Sequence, residues 1–391
     1  MSRSAGVDST LHVLTLTPFF PSRENEVSGC FIAEPIEELK RLGVDHSVIA
    51  VAPIYYPRRW PIKSAAAEWV RYPQIPGNFG LSSAGRMLYA RLIGRVQRLH
   101  TVKPIDVIHA HGALPCGHAS ALLSRHFGIP FVVTVHGLDA FNTCFQGGTP
   151  AKWRRQESIA VYRAARIVIC ISEKVKQILR GGLRENLRSA VVYNGTDAEM
   201  FSPGPVVVVP SEKEVLIVGD LIASKGQELA LNAIGRIGSL FPRLRCKIIG
   251  EGPDRSRLET LASQLGLGQR VQFLGRQSRT AMADAMRACS VFLLPSRNEG
   301  LGCVYLEAMA CGKSVIACRG QGIDEIIEHG RNGWLIPVDG LDELAQGLTT
   351  LLQAPVDSMR MGMAARETIL NGLTLLDQAH RLANIYREAV A

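Results

Sequence analysis

Short apolar runs alternate with longer amphipathic segments along the whole chain. A short apolar run between polar turn residues is typical of a buried strand, and an amphipathic segment is typical of a helix. Strands that alternate with helices in this way predict a parallel sheet flanked by helices. The runs lie at residues 11–16, 47–51, 107–109, 131–135 and 167–171, and again at 215–218, 246–249, 271–274, 291–294, 314–317 and 334–336.

The alternation is interrupted once, by a stretch rich in proline and valine at residues 201–214, and then begins again. Such a change of composition is typical of a linker, which we place near residues 202–211. The sequence therefore predicts two similar α/β domains, residues 1–205 and residues 206–391. The last segment, residues 373–391, is predicted to be a helix, and its periodicity leaves open whether it packs on the second domain or returns to the first.

The composition is that of a large globular protein. The 391 residues are 47% hydrophobic and 20% charged, which excludes a small disulfide-stapled module and a disordered chain. No window holds the roughly 18 consecutive apolar residues that a membrane-spanning helix needs. The first apolar stretch, residues 11–20, is broken by Pro18 and lacks a small-residue cleavage site, so we interpret it as a core strand rather than a signal peptide.

The nine cysteines are odd in number, are never spaced C-x-x-C, and mostly lie inside apolar runs. This usage is typical of buried thiols in a reducing compartment, so the sequence predicts a cytoplasmic protein. The cysteines are Cys30, Cys116, Cys144, Cys170, Cys246, Cys289, Cys303, Cys311 and Cys318.

The excess positive charge lies entirely in the first half of the chain. Residues 1–205 hold 24 Lys and Arg against 15 Asp and Glu, whereas residues 206–391 hold 20 of each. Candidate partners for such a basic half are an anionic membrane surface, an acidic ligand or nucleic acid, and the alternative is a merely solvated basic surface. Nucleic acid is poorly supported, because the first half has no recognisable recognition helix or aromatic-rich strand set.

Residues 84–100 predict a basic amphipathic helix, which is the candidate contact with anionic lipid. The alternative is a helix that packs on the core and leaves its basic face in water. One predicted face holds Arg91, Arg95 and Arg98, and another holds Leu88, Leu92 and Leu99.

The segment richest in candidate chemistry is residues 291–307, VFLLPSRNEGLGCVYLE. It predicts a buried strand, a polar turn and then a helix, whose start at Gly300 and Gly302 would let backbone N–H groups approach a phosphate. Glu299 lies in the turn and Glu307 about two helical turns later, so the two carboxylates would reach different hydroxyl groups of one ligand, such as a sugar and a ribose. The alternative is a helix-capping Glu299 and a surface Glu307.

Two further strand ends carry glycine. In VLIVGDLIASKG, residues 215–226, Gly219 follows the strand and Lys225 precedes the next helix, where an ammonium group can pair with a diphosphate. In IIGEGP, residues 248–253, Gly250 begins a tight turn of the kind expected where backbone clears a ligand. A solvated lysine and an ordinary turn are the alternatives.

Histidines follow two strands of the first half. His136 ends the run in FVVTVHGLD and would face the cleft, although a strand-end histidine is more often structural than catalytic. His109 and His111 have a spacing that could chelate a metal ion, but no Cys, Asp or Glu set accompanies them. The chain also has no D-x-D triplet and no G-x-G-x-x-G, so we expect no metal ion and no dinucleotide cofactor.

Taken together, these segments resemble the retaining glycosyltransferases of family 4, over most of the chain. The most specific element is the E-x7-E pattern, which Glu299 and Glu307 meet within PSRNEGLGCVYLEAMACG. Weaker elements agree in order and spacing. They are PFFPSRENEVSGCF, IHAHGALPCGHA, VTVHGLD, YNGTD, VGDLIASKG, IIGEGP and SVIACRGQGIDEIIEHGRNGWLIP.

The resemblance implies the GT-B architecture, in which two Rossmann-like domains with parallel sheets face each other across a cleft. It implies transfer of a sugar from a UDP- or GDP-sugar to a lipid-linked or glycan acceptor, with retention at the anomeric carbon and without a metal ion. The implied catalytic residues are His136, Glu299 and Lys225. The implied donor-binding residues are Ser28, Gly29, Gly219, Lys225, Gly250, Glu299, Gly300, Leu301, Gly302 and Glu307.

Two positions depart from the family pattern. Asp220 stands where Arg is common, so we expect its carboxylate to point away from a diphosphate or to bond a neighbouring backbone group. Gln321 stands where Gly is usual. The resemblance implies a glycosyltransferase of cell-envelope polysaccharide or glycolipid synthesis, peripheral on the inner face of the cytoplasmic membrane. The alternative is a non-catalytic nucleotide-binding or scaffold protein on the same fold.

Overall fold

In the computed structural model the chain forms two compact units. The first combines Met1–Tyr193 with Leu375–Ala391, and the second is Asn194–Thr374. The sequence predicts the domain boundary at residue 205. In the structure, residues 194–204 belong to the second unit and not to the first. The structure describes residues 10–57, 67–76, 80–137, 140–141, 149–183, 187–204 and 213–391, so residues 205–212 of the predicted linker and Cys144 lie outside it.

The first unit contains a seven-stranded sheet with helices between the strands. Its helices are α1 (Cys30–Arg41), α2 (Leu81–Val102), α3 (His118–Phe127), α4 (Thr149–Ala164) and α5 (Glu173–Leu183). Its strands are β1 (Leu11–Thr17), β2 (Val44–Pro53), β3 (Ala67–Tyr72), β4 (Val107–His111), β5 (Phe131–Val135), β6 (Ile167–Cys170) and β7 (Ser189–Val191). They pair in parallel in the order β3-β2-β1-β4-β5-β6-β7.

The second unit contains a six-stranded sheet. Its strands are β8 (Glu214–Val218), β9 (Arg245–Ile249), β10 (Val271–Gly275), β11 (Val291–Leu293), β12 (Ser314–Cys318) and β13 (Trp334–Ile336). They pair in parallel in the order β10-β9-β8-β11-β12-β13. Its helices are α6 (Gln227–Arg236), α7 (Arg255–Gln264), α8 (Arg279–Ala288), α9 (Cys303–Ala310), α10 (Leu341–Gln353) and α11 (Pro355–Leu370).

Both sheets therefore have the strand order of a Rossmann-like fold, and the prediction of two parallel α/β units is confirmed. The central strands are continuous apolar runs because helices cover both faces of a parallel sheet, and β4, β5, β6 and β12 are buried at every position. The apolar pattern did not predict β3 or β7, which lie at the two edges of the first sheet.

Helix α12 (Leu375–Val390) belongs to the first unit, which resolves the alternative that the periodicity left open. Its apolar residues, among them Ala379, Ala383 and Tyr386, share one core with Val13 and Val107 from the central strands. Burying an apolar side chain contributes about 1.5–3 kcal/mol, so this face holds the helix on the sheet. The chain enters and leaves the second unit at adjacent points, where the Thr196 N–H donates to the Leu373 carbonyl oxygen at 3.0 Å.

Helix α2 contains the predicted basic amphipathic segment. Leu88 and Leu92 are fully buried, so the apolar face packs on the core and is not available for insertion into a bilayer. Of the basic residues, Arg91 and Arg98 are exposed, and Arg95 donates to Glu68 Oε1 at 2.8 Å. Within the described ranges, no helix is both long enough and apolar enough to span a membrane.

Candidate functional site

The strand order of the second sheet locates its candidate site. In an open α/β sheet ligands bind outside the carboxyl ends of the strands, at the point where the strand order reverses. That point lies between β8 and β11, which are neighbours in the sheet although they are not consecutive in the chain. The loops that follow these strands carry Lys225 and Glu299.

Lys225 and Glu299 form an ion pair at this strand end. Lys225 Nζ lies 2.6 Å from Glu299 Oε2, and the two side chains are 23% and 14% exposed. An ammonium group has three donors and a carboxylate has two acceptor oxygens, so each side chain can hold its partner and still contact a ligand. The structure thus brings together a cation suited to phosphate and a carboxylate suited to hydroxyl groups.

Backbone contacts hold the two loops against each other. The Arg297 N–H donates to the Ser224 carbonyl oxygen at 2.7 Å, one residue before Lys225. Gly226 has a φ of 73°, and a Cβ atom there would collide with the Pro295 carbonyl group. Because only glycine tolerates both conditions, Gly226 allows the Lys225 loop to approach the Glu299 loop.

Gly219 and Gly250 occupy a second backbone contact, between the ends of β8 and β9. Gly250 has a φ of 145°, and a Cβ atom there would collide with the Gly219 carbonyl group. The Leu221 N–H donates to the Glu251 carbonyl oxygen at 3.0 Å and fixes the same pair of loops. The requirement for glycine at position 250 therefore follows from packing within the unit, whatever ligand it meets.

The third predicted element is the start of α9. Gly302 adopts a left-handed φ of 83°, and a Cβ atom there would lie 2.6 Å from the ring of Tyr305. The Tyr305 hydroxyl donates to the Leu294 carbonyl oxygen, so the helix start is fixed to the end of β11. The first N–H groups of a helix have no intrahelical partner, and the residues at 300–302 lead directly into them, which makes this turn suited to an anion.

Glu307 lies on α9 in a different environment from Glu299. It is 3% exposed and forms an ion pair with Arg279, which is 8% exposed and lies at the start of α8. The Arg279 guanidinium also lies over the ring of Phe201, 4.7 Å from its centroid. The alternative of a surface Glu307 is therefore wrong, and the contact of Glu307 with a ribose stays a prediction.

The sequence analysis did not identify Arg279. The sequence does contain an indication of its role, because Arg279 directly follows Ser278, a residue type that often caps the start of a helix. In the structure the Ser278 side chain accepts from the Ala281 N–H at 3.2 Å and caps α8. A positive charge in the first turn of a helix is unfavourable to the helix dipole, so an arginine there indicates a carboxylate partner elsewhere in the fold.

The two departures from the family pattern have different outcomes. Asp220 is exposed, and its backbone carbonyl oxygen, not its carboxylate, accepts from Gln227 Nε2 at 2.9 Å. Gln321 is buried, and its Oε1 accepts from the backbone N–H of Glu299 at 2.9 Å. The residue at the usual glycine position thus contacts the candidate site directly.

In the first unit, His136 directly follows β5 and contacts a second histidine. His136 Nε2 lies 2.9 Å from His111 Nδ1, and the two rings stack with centroids 5.2 Å apart. Phe31 of α1 also packs on His136, with its ring centroid 4.9 Å from that of the histidine. Burial lowers the pKa of His136 to about 4, so the ring is neutral at pH 7 and has one N–H and one acceptor nitrogen.

Ser28 and Gly29 lie just before α1, one helical turn from Phe31. Gly29 has a φ of 75°, and a Cβ atom there would lie 2.5 Å from the Phe19 carbonyl carbon at the end of β1. The Ser28 N–H donates to Asn25 Oδ1 at 3.2 Å. The structure therefore places the start of α1 beside the carboxyl ends of β1 and β5.

His109 is held inside the fold by two hydrogen bonds to neighbouring side chains. Its Nδ1 lies 2.8 Å from the Tyr386 hydroxyl and its Nε2 lies 2.7 Å from Thr134 Oγ1. Burial lowers the pKa of His109 to about 3 and that of His111 well below its usual range. Over the ranges that the structure describes, no three His, Cys, Asp or Glu side chains are grouped as metal ligands would be.

Two family models match the chain in succession. The model described as Glycosyltransferase Family 4 matches residues 31–200, and the model described as Glycosyl transferases group 1 matches residues 205–368. Each falls on one of the two parallel sheets. The chain belongs to the glycosyltransferases.

Two relatives show how far this glycosyltransferase matches curated sequences. It is 33% identical over 251 residues to an uncharacterised glycosyltransferase of Methanocaldococcus jannaschii, a match that covers 63% of this chain and 66% of the relative. It is 30% identical over 298 residues to the D-inositol 3-phosphate glycosyltransferase of Mycobacterium marinum, which covers 71% of this chain and 63% of the relative. The chain thus spans slightly less than two thirds of the length of these relatives.

Solved structures share the fold. HepE of Anabaena, in complex with UDP and glucose, has a TM-score of 0.75 at 21% identity, and the match covers 95% of this glycosyltransferase and 98% of HepE. At that identity the likeness concerns the fold alone. The fold of this glycosyltransferase is GT-B, as the sequence predicts.

Proposed function

We propose that this chain is a retaining glycosyltransferase that transfers a sugar from a nucleoside-diphosphate sugar to an acceptor hydroxyl in cell-envelope polysaccharide or glycolipid synthesis. The observation that carries the proposal is the Lys225–Glu299 pair at the carboxyl ends of β8 and β11. A cation for phosphate and a carboxylate for hydroxyl groups, 2.6 Å apart, suit a ligand in which a diphosphate is bonded directly to a sugar. The UDP and glucose bound to HepE support the same donor class.

The proposed reaction breaks the bond between the anomeric carbon and the diphosphate oxygen, and the diphosphate leaves with the electron pair. The acceptor oxygen bonds to the anomeric carbon from the same face, and its proton passes to the departing diphosphate. Negative charge develops on the leaving group, so fixed positive groups directed at it lower the barrier. In this proposal Lys225 and the start of α9 stabilise that charge, and the step needs no metal ion.

The remaining predicted residues keep the roles that the resemblance implies. Glu299 binds hydroxyl groups of the donor sugar, and Glu307 binds hydroxyl groups of the ribose. Because His136 is neutral at pH 7, we assign it a hydrogen bond to the donor sugar rather than proton transfer. The backbone contacts to the donor are assigned to Ser28, Gly29, Gly219, Gly250, Gly300, Leu301 and Gly302.

The test is a panel of UDP-, GDP- and ADP-sugars incubated with the purified protein without added metal. We expect one donor to raise the melting temperature and to be slowly hydrolysed, with release of the nucleoside diphosphate. Once an acceptor is identified, the anomeric configuration of the product, measured by NMR, tests retention. Stabilisation by nucleotides with no turnover of any donor, even with lipid acceptors supplied, would favour a non-catalytic nucleotide-binding protein.

Lys225→Met and Lys247→Met form a matched pair of variants for the same assay. Lys247 Nζ lies 2.8 Å from Glu214 Oε2 with side-chain exposures of 30% and 13%, so this ion pair resembles that of Lys225. Glu214 begins β8 and Lys247 lies in the middle of β9, so this ion pair is away from the strand ends that carry the candidate site. We expect Lys225→Met to lower kcat by about 100-fold, the typical cost of one lost charge-stabilising donor, and Lys247→Met to leave kcat unchanged. Equal losses in the two variants would contradict the proposed role of Lys225.

The cytoplasmic location and the acceptor are also proposals. The described cysteines form no disulfide, which supports a reducing compartment. We propose that exposed basic residues of α2 attract an anionic membrane surface that carries a lipid-linked acceptor, because the buried apolar face leaves only electrostatic attraction. Flotation should show binding to anionic vesicles at low salt, lost at high salt and weakened by substituting Arg86, Arg91 and Arg98. Absence of low-salt binding would contradict the membrane proposal.

A further inference from the structure

Three loops from neighbouring strands meet at Glu299. Its own loop follows β11, the Lys225 loop follows β8, and residues 319–322 follow β12, the neighbour of β11 on the other side. Lys225 binds the carboxylate of Glu299, as described above. The loop after β12 binds the backbone of the same residue, so side chain and main chain of Glu299 are held from opposite sides.

The β12 loop contacts the peptide groups on both sides of Glu299. Gln321 Oε1 accepts from the Glu299 N–H at 2.9 Å, and the Gly322 N–H donates to the Glu299 carbonyl oxygen at 3.1 Å. A Cβ atom at Gly322 would collide with the Gly300 carbonyl group, so glycine is required for this approach. The residue before Glu299, Asn298, has a left-handed φ of 57°, which asparagine adopts more readily than other residues with a side chain.

The Gln321 side chain is itself fixed. It is 6% exposed, and its Nε2 lies 3.4 Å from the Arg319 carbonyl oxygen. The Glu299 N–H faces Oε1 of this amide and the Arg319 carbonyl oxygen faces its Nε2. These two partners set the orientation of the amide, because only Oε1 can accept from an N–H. A glycine at position 321 has no side chain and would leave that N–H without this partner.

We propose that Gln321 is a positioning residue that holds the Glu299 backbone so that its carboxylate meets both Lys225 and the donor sugar. This inference rests on the proposed function for its kinetic consequences. Gln321 acts on Glu299 and not on the nucleotide. Its loss should therefore reduce kcat with the nucleotide-sugar while leaving the dissociation constant for the free nucleoside diphosphate unchanged.

The test uses Gln321→Met, which keeps the length of the side chain and removes its acceptor, and Gln321→Glu, which keeps an acceptor oxygen. The matched control is Asn332→Leu. Asn332 is another buried amide of the same unit, whose Oδ1 accepts from the Glu328 N–H at 2.7 Å, but its loop holds none of the site residues. All three variants and the wild type are compared as full chains.

Each protein is measured in the absence and in the presence of turnover. The first measurement is hydrogen–deuterium exchange of the peptide containing residues 298–302, which needs no activity. The second is steady-state kinetics with the donor that the wild type uses, together with calorimetric titration of the matching nucleoside diphosphate. A lost hydrogen bond at a positioned group predicts a fall in kcat of about tenfold for Gln321→Met.

For Gln321→Met we expect faster exchange at the Glu299 amide and a tenfold lower kcat. The nucleoside diphosphate affinity should be unchanged, because the lost partner is that of the Glu299 N–H alone. For Gln321→Glu we expect values within threefold of wild type. Asn332→Leu should lose stability and keep its kcat. If Gln321→Met does not fold, Gln321→Asn, which withdraws the amide by one methylene, takes its place. Unchanged exchange at Glu299, or an equal loss of kcat in Asn332→Leu, would overturn the proposal. Faster exchange in a protein whose wild type has no turnover would instead count against the proposed function alone.

Discussion

Replacing Arg279 with Met should lower the free energy of unfolding by about 3–5 kcal/mol, because Glu307 would be left as a buried carboxylate without its cation. Both side chains are almost fully buried, so water cannot take the place of the guanidinium. The variant also loses the contact with the Phe201 ring. Urea denaturation followed by circular dichroism measures the change.

The double variant Arg279→Met/Glu307→Gln separates charge from packing. It removes the cation and the buried negative charge together, so most of the lost stability should return. Arg360→Met is the control, since Arg360 and Asp357 form an exposed ion pair on α11 of the same unit, and exposed pairs contribute little. If Arg279→Met had wild-type stability, the Arg279–Glu307 pair would not contribute the free energy assigned to it.

Acidification from pH 7 to pH 5 should destabilise the first unit severely, through its buried histidines. Burial lowers the pKa of His46 and His136 to about 4, that of His109 to about 3, and that of His111 well below its usual range. The unfolded chain has histidines with a pKa of about 6.5. Between about pH 4 and pH 6.5 the unfolded state therefore binds protons that the folded state does not, and the free energy of unfolding falls as the pH falls.

The expected size of the effect is large. Each such histidine contributes about 1.4 kcal/mol per pH unit once the unfolded form is protonated, so the four together contribute about 5 kcal/mol per unit below about pH 5.5. The urea midpoint should be constant from pH 8 to pH 7 and fall steeply below pH 6. In His46→Gln the free energy of unfolding should depend less steeply on pH, by the uptake of about one proton on unfolding. A midpoint that does not change between pH 7 and pH 5 would contradict the neutral state of these rings.

The continuous apolar strands could be predicted from the sequence because each is buried on both faces by its own helices. All six strands of the second sheet begin or end within a few residues of the predicted runs. The edge strands of the first sheet could not, for two physical reasons. In β3 the exposed Glu68 and Arg71 interrupt the apolar residues, because an edge strand has a neighbouring strand on one side only and meets water on the other. Strand β7 has only three residues.

The site could be predicted where a single segment carries the chemistry and not where distant segments meet. Lys225 and Glu299 were each visible at a strand end, and parallel strand ends meet at the same edge of a sheet. The contacts of Gln321 with Glu299 and of Arg279 with Glu307 join residues 22 and 28 positions apart. Neither distance corresponds to a helical or strand period, so no local pattern can indicate such a pair.

The return of α12 to the first unit has a consequence for biosynthesis. The second unit is one continuous stretch, Asn194–Thr374, and all of its residues have been made before the ribosome reaches α12. The core of the first unit, by contrast, remains open on one face until Ala379, Ala383 and Tyr386 emerge. The sheet of the first unit is therefore translated before that of the second, but the core beneath it is completed afterwards. A nascent chain exposes the apolar surface around Val13 and Val107 throughout the synthesis of the second unit.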